Sequence, residues 1–151
     1  MFSQAFQTAL KSGNAFSWSN LTYDPAALDT ILTVCNDHTG GYNLYIERVD
    51  FSADTATQFV IHQPTYATWA GTAVTGTNLN TNSANVAVAT AKCDETGQAT
   101  RGSVIANGSV LASEEVQTPL NVTLGYHKAI AVDCVADAAG ALVTIWGYFA
   151  P

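Results

Sequence analysis

From Thr30 to the end of the chain, apolar residues recur at every second position in short runs, and clusters of Gly, Asn, Asp, Ser or Pro fall between the runs. A period of two puts successive side chains on opposite faces of an extended chain, so such runs fold as half-buried strands. They occupy residues 30–35, 42–53, 57–63, 86–92, 102–112, 116–124, 128–135 and 142–149. No helical period after Thr30 lasts longer than two turns, and no strand–helix–strand alternation occurs, which excludes a parallel sheet. About eight strands predict an all-β, antiparallel β-sandwich. An even count with long crossovers favours the jelly-roll type. An immunoglobulin-like sandwich is the alternative, although its Cys–Trp–Cys signature is missing.

Several runs carry finer signals. In 42–53 the apolar parity switches from Leu44 and Ile46 to Val49, Phe51 and Ala53, which predicts a β-bulge near Glu47-Arg48. Run 57–63 stops at Pro64. Asn107-Gly108 reads as a hairpin tip or as a break within an edge strand. The last run is apolar on both sides, with Val143, Ile145 and Phe149 against Leu142, Trp146 and Tyr148; it lies centrally or has its second face covered. Residues 64–85, rich in Thr and Asn, read as a long loop, which in a compact domain is functional or bound to a neighbour.

Residues 1–29 differ from the β-sandwich domain expected at 30–151. They hold Phe2, Phe6, Phe16, Trp18 and Tyr23 without sustained alternation. Phe2, Phe6 and Leu10 recur every four residues, which predicts a short amphipathic helix ended by Ser12-Gly13-Asn14. This stretch reads as an extended N-terminal arm, docking on another subunit or lying across its own sandwich. Tyr66 and Trp69 in the long loop are the other aromatic contact candidates.

Charge narrows the function. Five Lys/Arg against twelve Asp/Glu give a net charge of -7 and no basic patch, so phosphate-driven nucleic-acid binding is not expected. Charged residues make up only 11% of the chain, and 19 Thr, 10 Asn and 9 Ser take over the polar role. Neutral hydrogen-bonding groups are cheaper to bury than ions, so such an exterior suits large contacts with other proteins. No run is long and apolar enough for a membrane helix, and residues 1–10 lack the pattern of a signal peptide. Cys35, Cys93 and Cys134 form an odd set without CxxC spacing; free buried thiols are expected, in a chain made in a reducing cytoplasm.

Reaction chemistry is sparse. His38, His62 and His127 lack metal-ligand spacing. Asp50 and Asp54 lack an EF-hand pattern and suit turns. Glu47, Asp50, Glu114, Glu115 and Asp133 are the carboxylates from which a glycosidase pair would have to come, and Glu114-Glu115 would point opposite ways on a strand. Arg101-Gly102-Ser103 is a turn fragment. No GxSxG, P-loop or GxGxxG is present. The chain reads as a non-enzyme with no metal, cofactor or small-molecule substrate.

Ile31-Leu32-Thr33-Val34-Cys35-Asn36, then Leu44-Tyr45-Ile46-Glu47-Arg48-Val49, Gly71-Thr72-Ala73-Val74, Asn78-Leu79-Asn80, Ala87-Val88-Ala89-Thr90-Ala91 and the ending from Gly140 through Ile145 to Gly147-Tyr148 together resemble small jelly-roll virion proteins of tailed bacteriophages, of the capsid decoration or cement type. The resemblance spans about residues 31–148. It implies a structural protein of the virion that binds the major capsid protein and copies of itself, as a homotrimer, and stabilises the head through many contacts. The interface would use Phe2, Phe6, Phe16, Trp18, Tyr23, Tyr66 and Trp69. The alternative it leaves open is a receptor- or carbohydrate-binding module of a tail or head fibre.

Overall fold

The computed structural model describes residues 1–20, 29–93, 101–136 and 140–151. One helix, α1 (Gln4–Lys11), precedes the strands β1 (Ala15–Ser19), β2 (Thr30–Asn36), β3 (Asn43–Ser52), β4 (Thr57–Gln63), β5 (Thr72–Val74), β6 (Thr77–Asn78), β7 (Ala89–Cys93), β8 (Ser103–Val110), β9 (Glu115–Leu124), β10 (Ala129–Cys134) and β11 (Leu142–Ala150). Every strand pair is antiparallel, in two packed sheets of order β6-β1-β11-β3-β9 and β5-β7-β2-β10-β4-β8. Strands β1 to β4 step alternately between the sheets, and β8 to β11 do so again. The short strands β5, β6 and β7 widen both sheets on the side of β1 and β2.

The core lies between the sheets. Phe16, Trp18, Leu44, Ile46, Val49, Phe51, Val143, Ile145 and Phe149 meet Leu32, Val34, Phe59, Ile61, Ile130 and Val132 from the opposite sheet. The expected bulge is present: Ile46 and Arg48 have consecutive partners on β11, Gly147 and Trp146, so Glu47 is the extra residue. The extra residue keeps Ile46 and Val49 both facing inward. Strand β11 lies in the middle of its sheet, and its second face is also covered, because Phe2, Phe6 and Ala9 pack over Trp146 and Tyr148.

Local chemistry explains α1. Ser3 caps it by accepting the Phe6 N–H at 3.1 Å, and Ser3 itself hydrogen-bonds Glu47, so the bulge residue anchors the helix start. At the other end Gly13 adopts φ +76°, and bonds from Gly13 N to Leu10 O and from Asn14 N to Ala9 O close a Schellman turn. A glycine suits that left-handed position, and the chain turns there straight into β1.

One open alternative is decided and two expectations change. Described residues of the arm fold onto their own sandwich: β1 pairs with β11 from Ala15↔Tyr148 to Ser19↔Thr144, and Phe16 and Trp18 are core residues. Tyr23 lies outside the described residues. The stretch 64–85 is not all loop, since it contains β5 and β6. Asn107-Gly108 is no hairpin tip: both residues lie inside β8, paired with Val60 and Phe59. Gly108 is needed for contact rather than for turning, because a Cβ there would lie 2.7 Å from the Phe59 ring.

Because Trp18 fills the core, Trp18→Ala should cost about 3–5 kcal/mol, read as a lower urea midpoint. Deleting residues 1–19 should abolish the cooperative unfolding transition. A truncated chain with an unchanged transition would show that β1 is dispensable.

Candidate interaction surface

The crossing order brings one set of strand ends together. Strands β2, β4 and β9 finish, and β3, β7 and β10 begin, at the same end of the sandwich, as the pairings Asn36↔Ala89, Cys35↔Ala129, His62↔Ala131 and Leu44↔Leu124 require. The connections 37–42 and 125–128 join the two sheets there. This end, the apex, gathers five exposed large apolar residues: Tyr42, Tyr66, Val86, Val88 and Tyr126. Val86 is 78% exposed, and Tyr66 and Tyr126 about half, at 50% and 51%.

Asn36 organises the apex from beneath. Its buried amide donates to Leu124 O at 2.8 Å and Tyr42 O at 3.1 Å, and its Oδ1 accepts from His38 N at 2.9 Å. Its carbonyl accepts from His127 N at 2.8 Å. One neutral side chain thus ties both sheet-joining connections without burying a charge. His127 holds φ +56°, and its ring is stacked between Tyr126 (3.7 Å between centroids) and Tyr66 (4.2 Å). His38 packs on Tyr42 at 4.8 Å. Asp37 hydrogen-bonds Thr90 and lies 4.0 Å from His127 Nε2. Two adjoining hollows, of about 670 and 480 Å³, share Asn14, Tyr42 and Phe149; the first runs along α1 and the second is bounded by Val86 and Val88. A rigid aromatic group with adjoining hollows is the anatomy of a protein contact, where tyrosines anchor at small entropic cost.

The interface candidates from the sequence separate. Tyr66 stands at the apex. Trp69 is 8% exposed and packs edge-on to Tyr66 over Cys35 and Ala129, so it supports the surface from below. Under that cover the Cys35 thiol is pushed up to about 12, by burial first and then by the Asp37 charge. Phe2 and Phe6 are used against Trp146 and Tyr148, and Phe16 and Trp18 in the core. Tyr42, Val86, Val88, Tyr126, His38 and His127 were missed as a group. Tyr42 and Val86 read as strand residues, but β3 and β7 begin at Asn43 and Ala89. Each borders a turn, and only the crossing order shows that those turns share an end.

The charged candidates serve the fold. Arg48 grips Asp50 through Nε at 2.7 Å and a terminal nitrogen at 2.9 Å, lies over the Phe2 and Trp146 rings, and Trp146 Nε1 donates to Asp50 at 2.8 Å. Asp54 sits in the bend after β3, and Glu114 and Glu115 are exposed at the far end of the sandwich. Asp133 is wholly buried, with His62 Nε2 at 2.9 Å, the Thr30 hydroxyl at 2.7 Å and Arg101 at 3.1 Å. Burial alone would raise the Asp133 pKa, but the hydrogen bonds from His62, Thr30 and Arg101 and the His62 charge together hold it below its ordinary 3.8. Among the described residues no group of His, Cys, Asp or Glu is placed to hold a metal ion. No family model, curated protein or solved structure matches the chain.

Cys35, Cys93 and Cys134 are all buried, so the folded protein should react negligibly with an aromatic disulfide reagent. Trp69→Ala should expose one reactive thiol, Cys35; an unreactive variant would show that Trp69 does not cover it. The Asp133 contribution to stability is present above about pH 3.8 and is lost as pH falls through the lower folded-state value. Urea midpoints should therefore drop steeply below that pH, and Asp133→Asn should flatten the drop. Parallel profiles would remove Asp133 as the source.

Proposed function

We propose that this chain is a structural virion protein, a capsid decoration or cement protein that stabilises a phage head through many protein–protein contacts. The observation that carries the reading is the apex: exposed tyrosines and valines gathered at one end of a chain with few charges. Apolar groups gathered on a soluble surface mark contact sites, and a tyrosine-rich patch flanked by hollows suits a protein partner better than a reacting substrate. The partners in this reading are the major capsid protein and further copies of the chain. The strand orders β1-β11-β3-β9 and β2-β10-β4-β8, reached by alternate crossing, support the jelly-roll type within the sandwich. The reading assigns no catalysis and no cofactor. Its mechanism is mechanical: each apex makes a modest contact, and many copies together resist expansion of the shell.

The second reading, a receptor- or carbohydrate-binding module of a tail or head fibre, draws on the Tyr66–His127–Tyr126 stack, since sugars pack on exposed aromatic rings. It loses the Trp69 platform, which lies underneath. Copy number separates the two: quantitative mass spectrometry of purified particles should find the chain in many copies on the head for cement and in few for a fibre. A chain absent from the particles overturns both. Within the cement reading, Tyr66→Ala and Tyr126→Ala should each weaken co-sedimentation with empty shells by about 30-fold, the effect of a central interface tyrosine worth ~2 kcal/mol. Unchanged binding would remove the apex as the seat.

A further inference from the structure

Among the described residues the two sheets have four edges, and three of them are blunt. Strand β5 has three residues and β6 has two, too short to template another strand. Strand β9 is long but carries Pro119 mid-strand, with Glu114 and Glu115 at its start. Strand β8 is different. It runs eight residues, SVIANGSV, with no charge and no proline, and has no hydrogen-bonded neighbour beyond β4 among the described residues. Alternate residues of such an edge turn their N–H and C=O groups away from the sheet, and soluble proteins normally guard such a row with charge, proline or brevity.

We infer that β8 is a self-association edge, at which two copies of this chain pair their β8 strands antiparallel about a two-fold axis. Charge selects the partner. Each copy carries -7 overall, and β8 is the long edge along which neither copy brings a charge to the other. Across β9 the acidic pair would instead oppose its own image. A register centred on Gly108, with Ile105 as the extra residue of a bulge in β8, sets Val104 of one copy against Leu111 of the other, so these two exposed apolar residues cover one another. It also brings the end bearing Arg101 beside the end bearing Glu114 and Glu115. An antiparallel β8–β8 contact is isologous and closes at two copies, unlike the trimer that the family resemblance implies. The pairing does not depend on the shell, so its failure leaves the apex reading untouched.

The test is light scattering of the purified full chain over a range of micromolar concentrations. The wild type should show twice the protomer mass. Asn107→Lys and Ser109→Lys, exposed positions beside the axis, should each shift the protein to the protomer mass, with pairing weakened at least about tenfold and the circular dichroism unchanged. Gln117→Lys, the same charge change on β9, should stay paired. A wild type at the protomer mass throughout, a three-fold mass, or lysine variants that remain paired would overturn the inference. If the lysine variants fail to fold, the double variant Asn107→Cys, Ser109→Cys decides, since these exposed positions face each other across the axis: oxidation should yield a covalent pair, and a chain that stays single rejects the edge.

Discussion

Strand β11 has two apolar faces, and neither sheet alone can cover both. One face enters the core through Val143, Ile145 and Phe149. The other carries Trp146 and Tyr148 and would meet water unless something lay over it. The amino-terminal helix supplies that cover, and the consequences spread from there. The helix must start where Glu47 can hold Ser3, which is the bulge, and must end at Gly13 so that β1 can pair with β11. Aromatic residues suited to an inter-subunit arm are thereby used up inside the chain. Arg48, held by Asp50 and lying over both the Phe2 and Trp146 rings, closes this layer with a cation whose partners are all within the chain.

What the sequence made legible was local. The alternation located β2 and β4 almost to the residue, the parity switch located the bulge, and the four-residue spacing of Phe2, Phe6 and Leu10 located α1. What it hid was non-local. Asn107-Gly108 has the chemistry of a turn, yet Phe59 on the neighbouring strand needs a position without a side chain, and that need comes from across the sheet. Phe16 and Trp18 lacked enough flanking alternation to read as a strand, because β1 is only five residues long. The apex was invisible for the same reason. Tyr42, Tyr66, Val86 and Tyr126 are scattered along the chain, and only the alternation of strands between sheets puts them at one end. Tyr66 alone carried a readable signal, an aromatic in a long loop.

The scarcity of charge has two sources rather than one. Part of the asparagine content works inside the fold. Asn20 donates to Ala141 O and accepts from Val143 N; Asn36 ties the apex; Asn78, Asn80 and Asn85 bind backbone carbonyls of residues 11, 13 and 85. These amides replace contacts that a charged side chain could make only at a desolvation cost. The remaining neutrality is on the outside, where exposed Thr and Ser accompany the apex tyrosines and the uncharged β8.

Those two places have a fixed relation. The apex lies at the ends of the strands, and β8 runs along the side. Antiparallel pairing of two β8 strands points the two apices in opposite directions, one at each far end of the pair. A pair of this kind cannot stand upright on a surface with both apices seated. It can lie flat and reach two neighbouring seats, and once one apex is bound the other is held at high local concentration near its own. In the proposed reading, bridging two seats would resist their separation, the mechanical task of a cement. A single copy seated by one apex would decorate a shell without bridging it, and the edge and the apex together would turn a surface contact into a strut.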